Sequence, residues 1–221
     1  MKKLSITQEY FLCAVNKKGE LPTLSSSEIA SCLVAGGIME LTKLGFISKD
    51  EKKKIIINKP WNNSLPYLAP IYNTIASYKK PKKAEGLLES FAFSVTNKRL
   101  KELVAALRDS LIEKGCFNEV AATGSKKDKI QYIPKPELVT QIIEKVRAEF
   151  LEEGKISDDV VCLSVLLDET RLIKNYFSKV EVTKMKARIK EVRNSDAYSS
   201  VKDIFDYMDA VAAVIVIMTS N

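Results

Sequence analysis

The stretch that decides the fold is Ser25–Leu44, SSSEIASCLVAGGIMELTKL. Its first four residues form a capping-box pattern, in which a serine and a glutamate three positions later satisfy free N–H groups at a helix start. The following residues 29–44 are apolar nearly all round, which is typical of a helix buried on every side. Gly45 predicts the helix end, because glycine adopts the left-handed conformation at low cost. We therefore expect a central helix, in which Gly36 and Gly37 let neighbouring helices approach closely.

A second apolar segment lies near the other end of the chain. The sequence predicts a helix that starts at Ser199 or Ser200 and continues through the very apolar residues 210–218. Elsewhere, apolar residues recur three and four positions apart, which is the spacing of a helix with one buried face. The predicted outer helices span residues 7–15, 96 or 97 to 114, 136–153, 157–167, 171–178 and 182–192. This pattern predicts an all-α fold of central apolar helices ringed by amphipathic helices, in one domain over residues 1–221.

Two short segments depart from the helical pattern. In each of them, strand-forming residues flank a charged or small-residue turn, which favours a β-hairpin. The predicted hairpins pair residues 46–48 with 54–57 and residues 117–121 with 129–133. Residues 58–96 contain four prolines and predict one short helix near Ile71–Tyr78.

The composition excludes several classes of active site. The chain contains no histidine, so Ser-His-Asp triads, Cys-His pairs and histidine-ligated zinc are ruled out. The four cysteines are widely scattered and form no CxxC motif, which argues against a disulfide framework or a cysteine-only zinc site. An enzyme would need a lysine or carboxylate with a strongly shifted pKa in a pocket, and no spacing indicates one. We therefore expect no enzymatic activity, no metal and no cofactor.

The hydropathy pattern indicates where in the cell the protein is expected to lie. The longest apolar run, residues 210–218, is shorter than the roughly 20 residues that a membrane-spanning helix needs. The first residues lack the apolar core of a signal peptide. We expect a cytoplasmic protein that lies at most on the inner face of a membrane.

Basic clusters are the most distinctive feature outside the predicted core. The chain has 35 Lys and Arg against 28 Asp and Glu, a net charge of +7, with lysine-rich clusters at residues 52–54, 79–83, 98–101 and 126–129. Such runs are most simply solvated faces, and their functional interpretation is attraction to a polyanion. Nucleic-acid binding usually adds aromatic side chains or a recognition helix, which the sequence lacks. An anionic membrane tolerates diffuse lysines, each contributing about 1 kcal/mol near the surface.

Five blocks of sequence carry a family resemblance. The blocks are Leu4–Leu12 (LSITQEYFL), Ala30–Leu41 (ASCLVAGGIMEL), Ser110–Gly115 (SLIEKG), Val146–Glu149 (VRAE) and the apolar C-terminal helix from Tyr207. In this order they resemble the Golgi phosphoprotein 3 family, which includes its yeast vacuolar-sorting relative. The resemblance covers nearly the whole chain and is closest to a short member of bacterial type.

The resemblance implies an all-α fold with a projecting β-hairpin and a role at membranes. Eukaryotic members are peripheral membrane proteins that bind phosphatidylinositol 4-phosphate and the cytoplasmic tails of Golgi glycosyltransferases. The family forms its lipid pocket with one tryptophan and three arginines. In this chain the tryptophan position falls near Ser25, and the arginine positions fall on Val34, Lys101 and Val104.

These observations predict a non-enzymatic peripheral protein that binds anionic phospholipid head groups. The predicted head-group residues are the cations of one helix, Lys98, Arg99, Lys101 and Arg108. The predicted membrane contact is the tip of the second hairpin, with Lys126, Lys127 and Lys129. The same hairpin, residues 117–133, is a candidate surface for homo-oligomerisation. The alternative is a soluble protein-interaction adaptor without lipid binding, which the incomplete lipid pocket favours.

Overall fold

The computed structural model describes residues 3–22, 26–92, 97–121, 130–152, 154–195 and 202–219. Its helices are α1 (Ile6–Ala14), α2 (Ser26–Lys43), α3 (Ala69–Ala76), α4 (Ala84–Ala92), α5 (Lys98–Glu113), α6 (Pro136–Leu151), α7 (Asp158–Glu169), α8 (Lys179–Asn194) and α9 (Lys202–Thr219). Four short strands, β1 (Ile47–Lys49), β2 (Ile55–Ile57), β3 (Phe117–Ala121) and β4 (Ile130–Pro134), complete these elements. The predicted all-α class with small hairpins is confirmed.

Helix α2 lies at the centre of the core, as its all-apolar pattern predicts. Every residue from Ile29 to Leu41 is buried, and helices α1, α4, α7 and α9 pack around it. A Cβ atom built on Gly37 would lie 2.2 Å from the Cδ1 atom of Ile71. A Cβ on Gly36 would lie 3.0 Å from the Thr7 hydroxyl oxygen. Both glycines therefore allow close approach, which confirms the prediction.

The carboxylate of Glu40 is the one charged group that α2 buries among these described residues. It accepts hydrogen bonds from the backbone N–H of Thr7 at 2.7 Å and from the Tyr67 hydroxyl at 2.9 Å. Two donors compensate for the lost hydration of a buried carboxylate. Glu40 thus joins α2 to the start of α1 and to the short 3₁₀ turn Pro66–Leu68.

Both predicted hairpins form, each as a two-stranded antiparallel sheet. In the first, Ile47 pairs with Ile57, and in the second, Phe117 pairs with Pro134. The start of α1 differs from the predicted residue 7. Ser5 caps the helix, since its hydroxyl accepts the N–H of Gln8, and the helix begins at Ile6.

Two segments differ more from the sequence-based expectation. Residues 84–92 form α4, which the sequence analysis left irregular, and its Leu87, Leu88 and Phe91 are buried. Gly86 lowers the helical propensity of this short segment, so that tertiary packing decides its conformation. The helix predicted over 171–178 is a single 3₁₀ turn, Leu172–Asn175, preceded by Arg171 in the left-handed region.

Candidate anionic-surface interface

The four cations predicted to bind a head group all lie on α5: Lys98, Arg99, Lys101 and Arg108. Lys98 Nζ lies 3.9 Å from Glu102 Oε1, and Arg99 Nη1 donates a 3.2 Å hydrogen bond to the Ser90 carbonyl oxygen. Lys101 is exposed and Arg108 is half-buried, and a separation of seven residues corresponds to about 10 Å along a helix. Helix α5 therefore presents separate cations rather than a converging pocket.

The positions that match the family's lipid pocket are mostly apolar and covered. Val34 has no exposed surface in the centre of α2, and Val104 is half-buried on α5. Ser25, near the tryptophan position, lies outside the described residues. A phosphate monoester is held by converging donors, ideally paired arginine forks. Of the three arginine positions, Lys101 alone offers a cation.

The hairpin-tip lysines Lys126, Lys127 and Lys129 lie outside the described residues, so their membrane contact stays a prediction. The strands that lead to the tip are described. Val120 is 42% exposed and Ile130 is 57% exposed, so this end of the hairpin presents apolar side chains to solvent. Phe117 and Pro134, at the opposite end, are buried.

A different basic surface forms where the β1–β2 hairpin meets the α3–α4 connection. The backbone N–H of Ile55 donates a 2.8 Å hydrogen bond to the Lys82 carbonyl oxygen. Lys54 and Lys83 also form an antiparallel β-bridge. Two basic runs far apart in sequence are thereby joined into one surface. We name this surface the lysine ridge, and it consists of Lys52, Lys53, Lys54, Lys79, Lys80, Lys82 and Lys83.

The hairpin side of the lysine ridge is ordered by Asp50. One carboxylate oxygen of Asp50 accepts the backbone N–H of Lys52 at 2.9 Å and that of Lys54 at 2.8 Å. The Asp50 carbonyl oxygen accepts the N–H of Lys53, which adopts a left-handed conformation with φ of 58°. A short acidic side chain that bonds to nearby N–H groups is a common way to fix a tight turn. Asp50 thus fixes the backbone of three lysines, two through its carboxylate and one through its carbonyl oxygen.

The connection side of the lysine ridge is ordered by Tyr78 and α4. Lys82 Nζ lies over the Tyr78 ring, 4.5 Å from its centroid. The Tyr78 hydroxyl donates a 2.9 Å hydrogen bond to the Ser90 hydroxyl oxygen on α4. A Cβ on Gly86 would lie 3.3 Å from Lys82 Cδ, so the glycine leaves room for the aliphatic stem of this lysine.

Helix α9 holds the hairpin through a clamp of acidic residues. Lys49 Nζ contacts Asp203 Oδ1 at 2.8 Å and Asp206 Oδ2 at 3.0 Å, and Lys53 Nζ lies 3.7 Å from Asp206 Oδ1. Lys49 Nζ also lies 4.2 Å from the centroid of the Tyr207 ring. These contacts fix β1 and β2 against the core.

The clamp shifts the pKa values of its members. Burial alone lowers the pKa of Lys49, but hydrogen bonds to Asp203 and Asp206 outweigh burial and the net pKa is raised. Burial raises the pKa of Asp206, but its hydrogen bond to Lys49 and the charges of Lys49 and Lys53 outweigh burial, and the net pKa is lowered. Both shifts favour the charged forms, so the clamp is an ion-pair network at neutral pH.

Most of the lysine ridge forms no ion pair, although Glu51 lies in its turn and Glu85 lines a recess with Lys83. Among the described residues, Lys53 is the ridge member with an ion-pair contact, and Lys82 lies over a tyrosine ring. The remaining five, Lys52, Lys54, Lys79, Lys80 and Lys83, form no ion pair with any residue that the structure describes. All ridge lysines are exposed except Lys54, which is half-buried. The surface is therefore a concentrated, accessible positive charge.

Both basic runs are visible in the sequence, but the contact between them is not. Lys54 and Lys83 pair across an intervening 3₁₀ turn and helix α3, and no local pattern encodes that contact. The lysine content of each run was the one feature of the sequence that indicated a basic surface. The backbone hydrogen bonds between the runs show that they form a single surface.

The cysteines show no features of nucleophiles. Cys13, Cys32, Cys116 and Cys162 are all buried and free. Burial raises the pKa of each thiol, which disfavours the reactive thiolate. Within the described ranges, no three cysteine, aspartate or glutamate side chains gather in a way that could hold a metal ion. No helix in the described part of the chain has the length and apolar character needed to cross a bilayer.

The comparison with known families agrees with the fold. Among proteins with curated descriptions, none matches this chain. The family model described as Golgi phosphoprotein 3 (GPP34) matches residues 6–208, which is most of the 221 residues. The match spans α1 to the middle of α9, including α2 and both hairpins. The chain belongs to the Golgi phosphoprotein 3 (GPP34) family.

Proposed function

We propose that this protein is a non-enzymatic, cytoplasmic peripheral protein that binds the surface of membranes containing anionic phospholipids. One observation carries the proposal: the lysine ridge gathers seven lysines from two segments, five of them without an ion-pair partner in the described structure. Near an anionic membrane each such lysine contributes about 1 kcal/mol. The ridge therefore has enough charge for measurable, reversible binding.

The lysine ridge replaces α5 as the principal contact in this proposal. Lys98, Arg99, Lys101 and Arg108 add to the positive field of the chain, but they are spread along a helix that also carries Glu102. Lys98 is also paired with Glu102, and Arg99 donates to the Ser90 carbonyl oxygen. The five ridge lysines without an ion pair therefore offer an anionic membrane more uncommitted charge than α5 does.

Vesicle co-sedimentation tests the proposal. The protein is mixed with neutral phosphatidylcholine vesicles, and with vesicles containing phosphatidylglycerol or phosphatidylinositol 4-phosphate, at low and at physiological salt. We expect binding to both anionic compositions, weaker binding at higher salt, and none to neutral vesicles. Equal binding to neutral and anionic vesicles, or binding unaffected by salt, would contradict an electrostatic contact.

The second candidate is a soluble adaptor that binds another protein. It is favoured by Val34 and Val104, which place apolar side chains where the family uses arginines. A pull-down that recovers one stoichiometric soluble partner, together with an absence of binding to every vesicle, would support the adaptor over the membrane protein.

The second hairpin is also proposed as a surface for self-association. Val120 and Ile130 expose apolar side chains near the end of the β3–β4 pair, and exposed strand edges readily pair with another chain. Sedimentation velocity of the full chain and of a Val120→Lys/Ile130→Lys variant tests this. A concentration-dependent dimer that the variant abolishes would support it, and a monomer at all concentrations would refute it.

A further inference from the structure

We infer that the lysine ridge recognises the charge density of a bilayer and not the chemistry of a single head group. This inference rests on the proposed function and specifies its ligand: a fluid surface on which several anionic lipids gather under one protein. Three features of the lysine ridge carry it, namely the type of its cations, the lining of the recess beside it, and its shape.

The cations of the lysine ridge are all ammonium groups. Residues 49–83, which contain the ridge, include no arginine. A lysine ammonium is a compact, strongly hydrated point charge on a flexible stem, whereas arginine offers a planar fork that matches phosphate oxygens in pairs. Lysines therefore attract any anion according to its charge and impose little geometry on it.

The recess beside the lysine ridge does not suit an anionic head group. A cavity of about 210 Å³ is lined by Lys49, Lys53 and Lys83, but also by Glu85, Asp206 and Asp209. Two of these lysines, Lys49 and Lys53, already form ion pairs with Asp206. A phosphate that entered the cavity would face three carboxylates, and like charges at short distance repel. Anions are therefore held at the outer surface of the ridge.

The shape of the lysine ridge matches an extended surface. The connection runs antiparallel beside β2, as the Lys54–Lys83 bridge and the Ile55–Lys82 hydrogen bond show. The backbones of the two lysine runs consequently lie side by side as an extended row. Lipids in a fluid bilayer can move laterally to lie under such a row, and the contributions of separate contacts then add.

The charge-density mechanism makes the ridge lysines interchangeable. Lys52, Lys80 and Lys83 come from both segments, are exposed, and form no ion pair within the described structure. Each single substitution by glutamine is expected to weaken binding to the same vesicles by about two- to fivefold. Substitution of each by arginine is expected to keep the affinity, because the charge is kept. A head-group site would instead show one dominant position.

The test compares vesicles of different lipids at matched surface charge. Phosphatidylglycerol and phosphatidylserine carry one charge each, and cardiolipin and phosphatidylinositol 4-phosphate are added at mole fractions adjusted to the same total. We expect affinities that agree within about threefold at equal charge, and a steep rise with the anionic fraction. The three single glutamine variants and the control Lys184→Gln, at an exposed position on α8, are measured on the phosphatidylglycerol vesicles, and the control is expected to bind like the wild type.

Different outcomes would contradict charge-density recognition and membrane binding itself. Binding to one head group more than tenfold tighter than to the others, or loss of binding through one lysine alone, would overturn the inference and leave membrane binding intact. Absence of binding to every anionic vesicle would overturn both. Circular dichroism of each glutamine variant confirms that a loss of binding does not come from unfolding.

Discussion

The lysine ridge and the basic face of α5 look alike in sequence and differ in space. Each contributes several cations within a short stretch, at residues 52–54 and 79–83 in the ridge and at 98–108 in α5. In the ridge, backbone bonds join two runs side by side. On α5, Lys98 pairs with Glu102 and Arg99 turns to the Ser90 carbonyl oxygen. The total charge around a surface, and not the number of cations within a stretch of sequence, therefore decides its attraction for an anion.

The carboxylates near each region differ in role as well. Beside the ridge, Asp50 binds backbone N–H groups, and Asp203 and Asp206 hold Lys49 at the base of the hairpin. These acids mostly order the hairpin, and Asp206 also lies 3.7 Å from Lys53, which is one lysine of the ridge. On α5, Glu102 lies one turn from Lys98 and reduces the field of the cations directly.

The largest expected effect comes from reversing charge in one region at a time. Lys52→Glu/Lys80→Glu/Lys83→Glu and Lys98→Glu/Lys101→Glu/Arg108→Glu change the net charge equally. The ridge variant is expected to lose on the order of 100-fold in affinity for phosphatidylglycerol vesicles, because three clustered contacts are lost. The α5 variant is expected to lose less than about fivefold. Equal losses in co-sedimentation would mean that net charge alone controls binding and that the two regions do not differ.

A smaller effect is expected when the order of the hairpin turn is removed. Asp50→Ala leaves two backbone N–H groups without their acceptor and is expected to reduce the free energy of unfolding by about 1–2 kcal/mol. Glu51→Ala, at the exposed neighbouring position, removes the same charge and serves as the control. Urea unfolding of both variants measures the difference. If the two variants are equally stable, the Asp50 carboxylate does not order the turn.

The clamp on α9 is expected to contribute less, and only above acidic pH. Asp206→Asn removes contacts to Lys49 and Lys53, and exposed ion pairs contribute at most about 1 kcal/mol. The pKa of Asp206 is lowered from 3.8, so its contribution is present above that value and is lost as the pH falls through the lowered pKa. Unfolding curves from pH 7 to 3 should therefore show the stability gap between wild type and Asp206→Asn closing below about pH 4. A gap that widens with acidification would contradict the clamp.

The smallest expected effect is the change in membrane affinity when the pH is varied between 6 and 8. The chain has no histidine, which is the side chain that ordinarily changes charge between pH 5 and 8. Affinity for phosphatidylglycerol vesicles at constant salt should change by less than about twofold between pH 6 and 8. A strong pH dependence would indicate a titrating group outside both compared regions.

The sequence predicted the elements whose side chains follow a clear local pattern. Helices α2, α5 and α6 and both hairpins form close to the predicted residues, because capping residues, glycine stops and apolar periodicity act within a few positions. Helix α4 was missed, since Gly86 and the prolines before it weaken the local helical signal. Helix α4 is stabilised by the burial of Leu87 and Phe91 against the core, which offsets the weak helical propensity of the local sequence.

The candidate site was harder to predict than the fold. The basic runs at 52–54 and 79–83 were visible in sequence, but their pairing depends on a contact between residues 54 and 83. Equally, periodicity could not show that Arg99 bonds to the Ser90 carbonyl oxygen across helices. Contacts between distant segments are set by tertiary packing, so the sequence identified the charges and not their neighbours.

Lysine labelling in the presence of vesicles shows which lysines contact the membrane. The wild-type protein is acetylated with an amine-reactive ester, with and without phosphatidylglycerol vesicles, and the modification of each lysine is measured by mass spectrometry. We expect Lys52, Lys80 and Lys83 to be protected by vesicles at low salt and to become reactive again at high salt, with Lys98 and Lys101 reactive throughout. Protection of Lys98 and Lys101, with the ridge lysines still reactive, would contradict the assignment of the membrane contact to the lysine ridge.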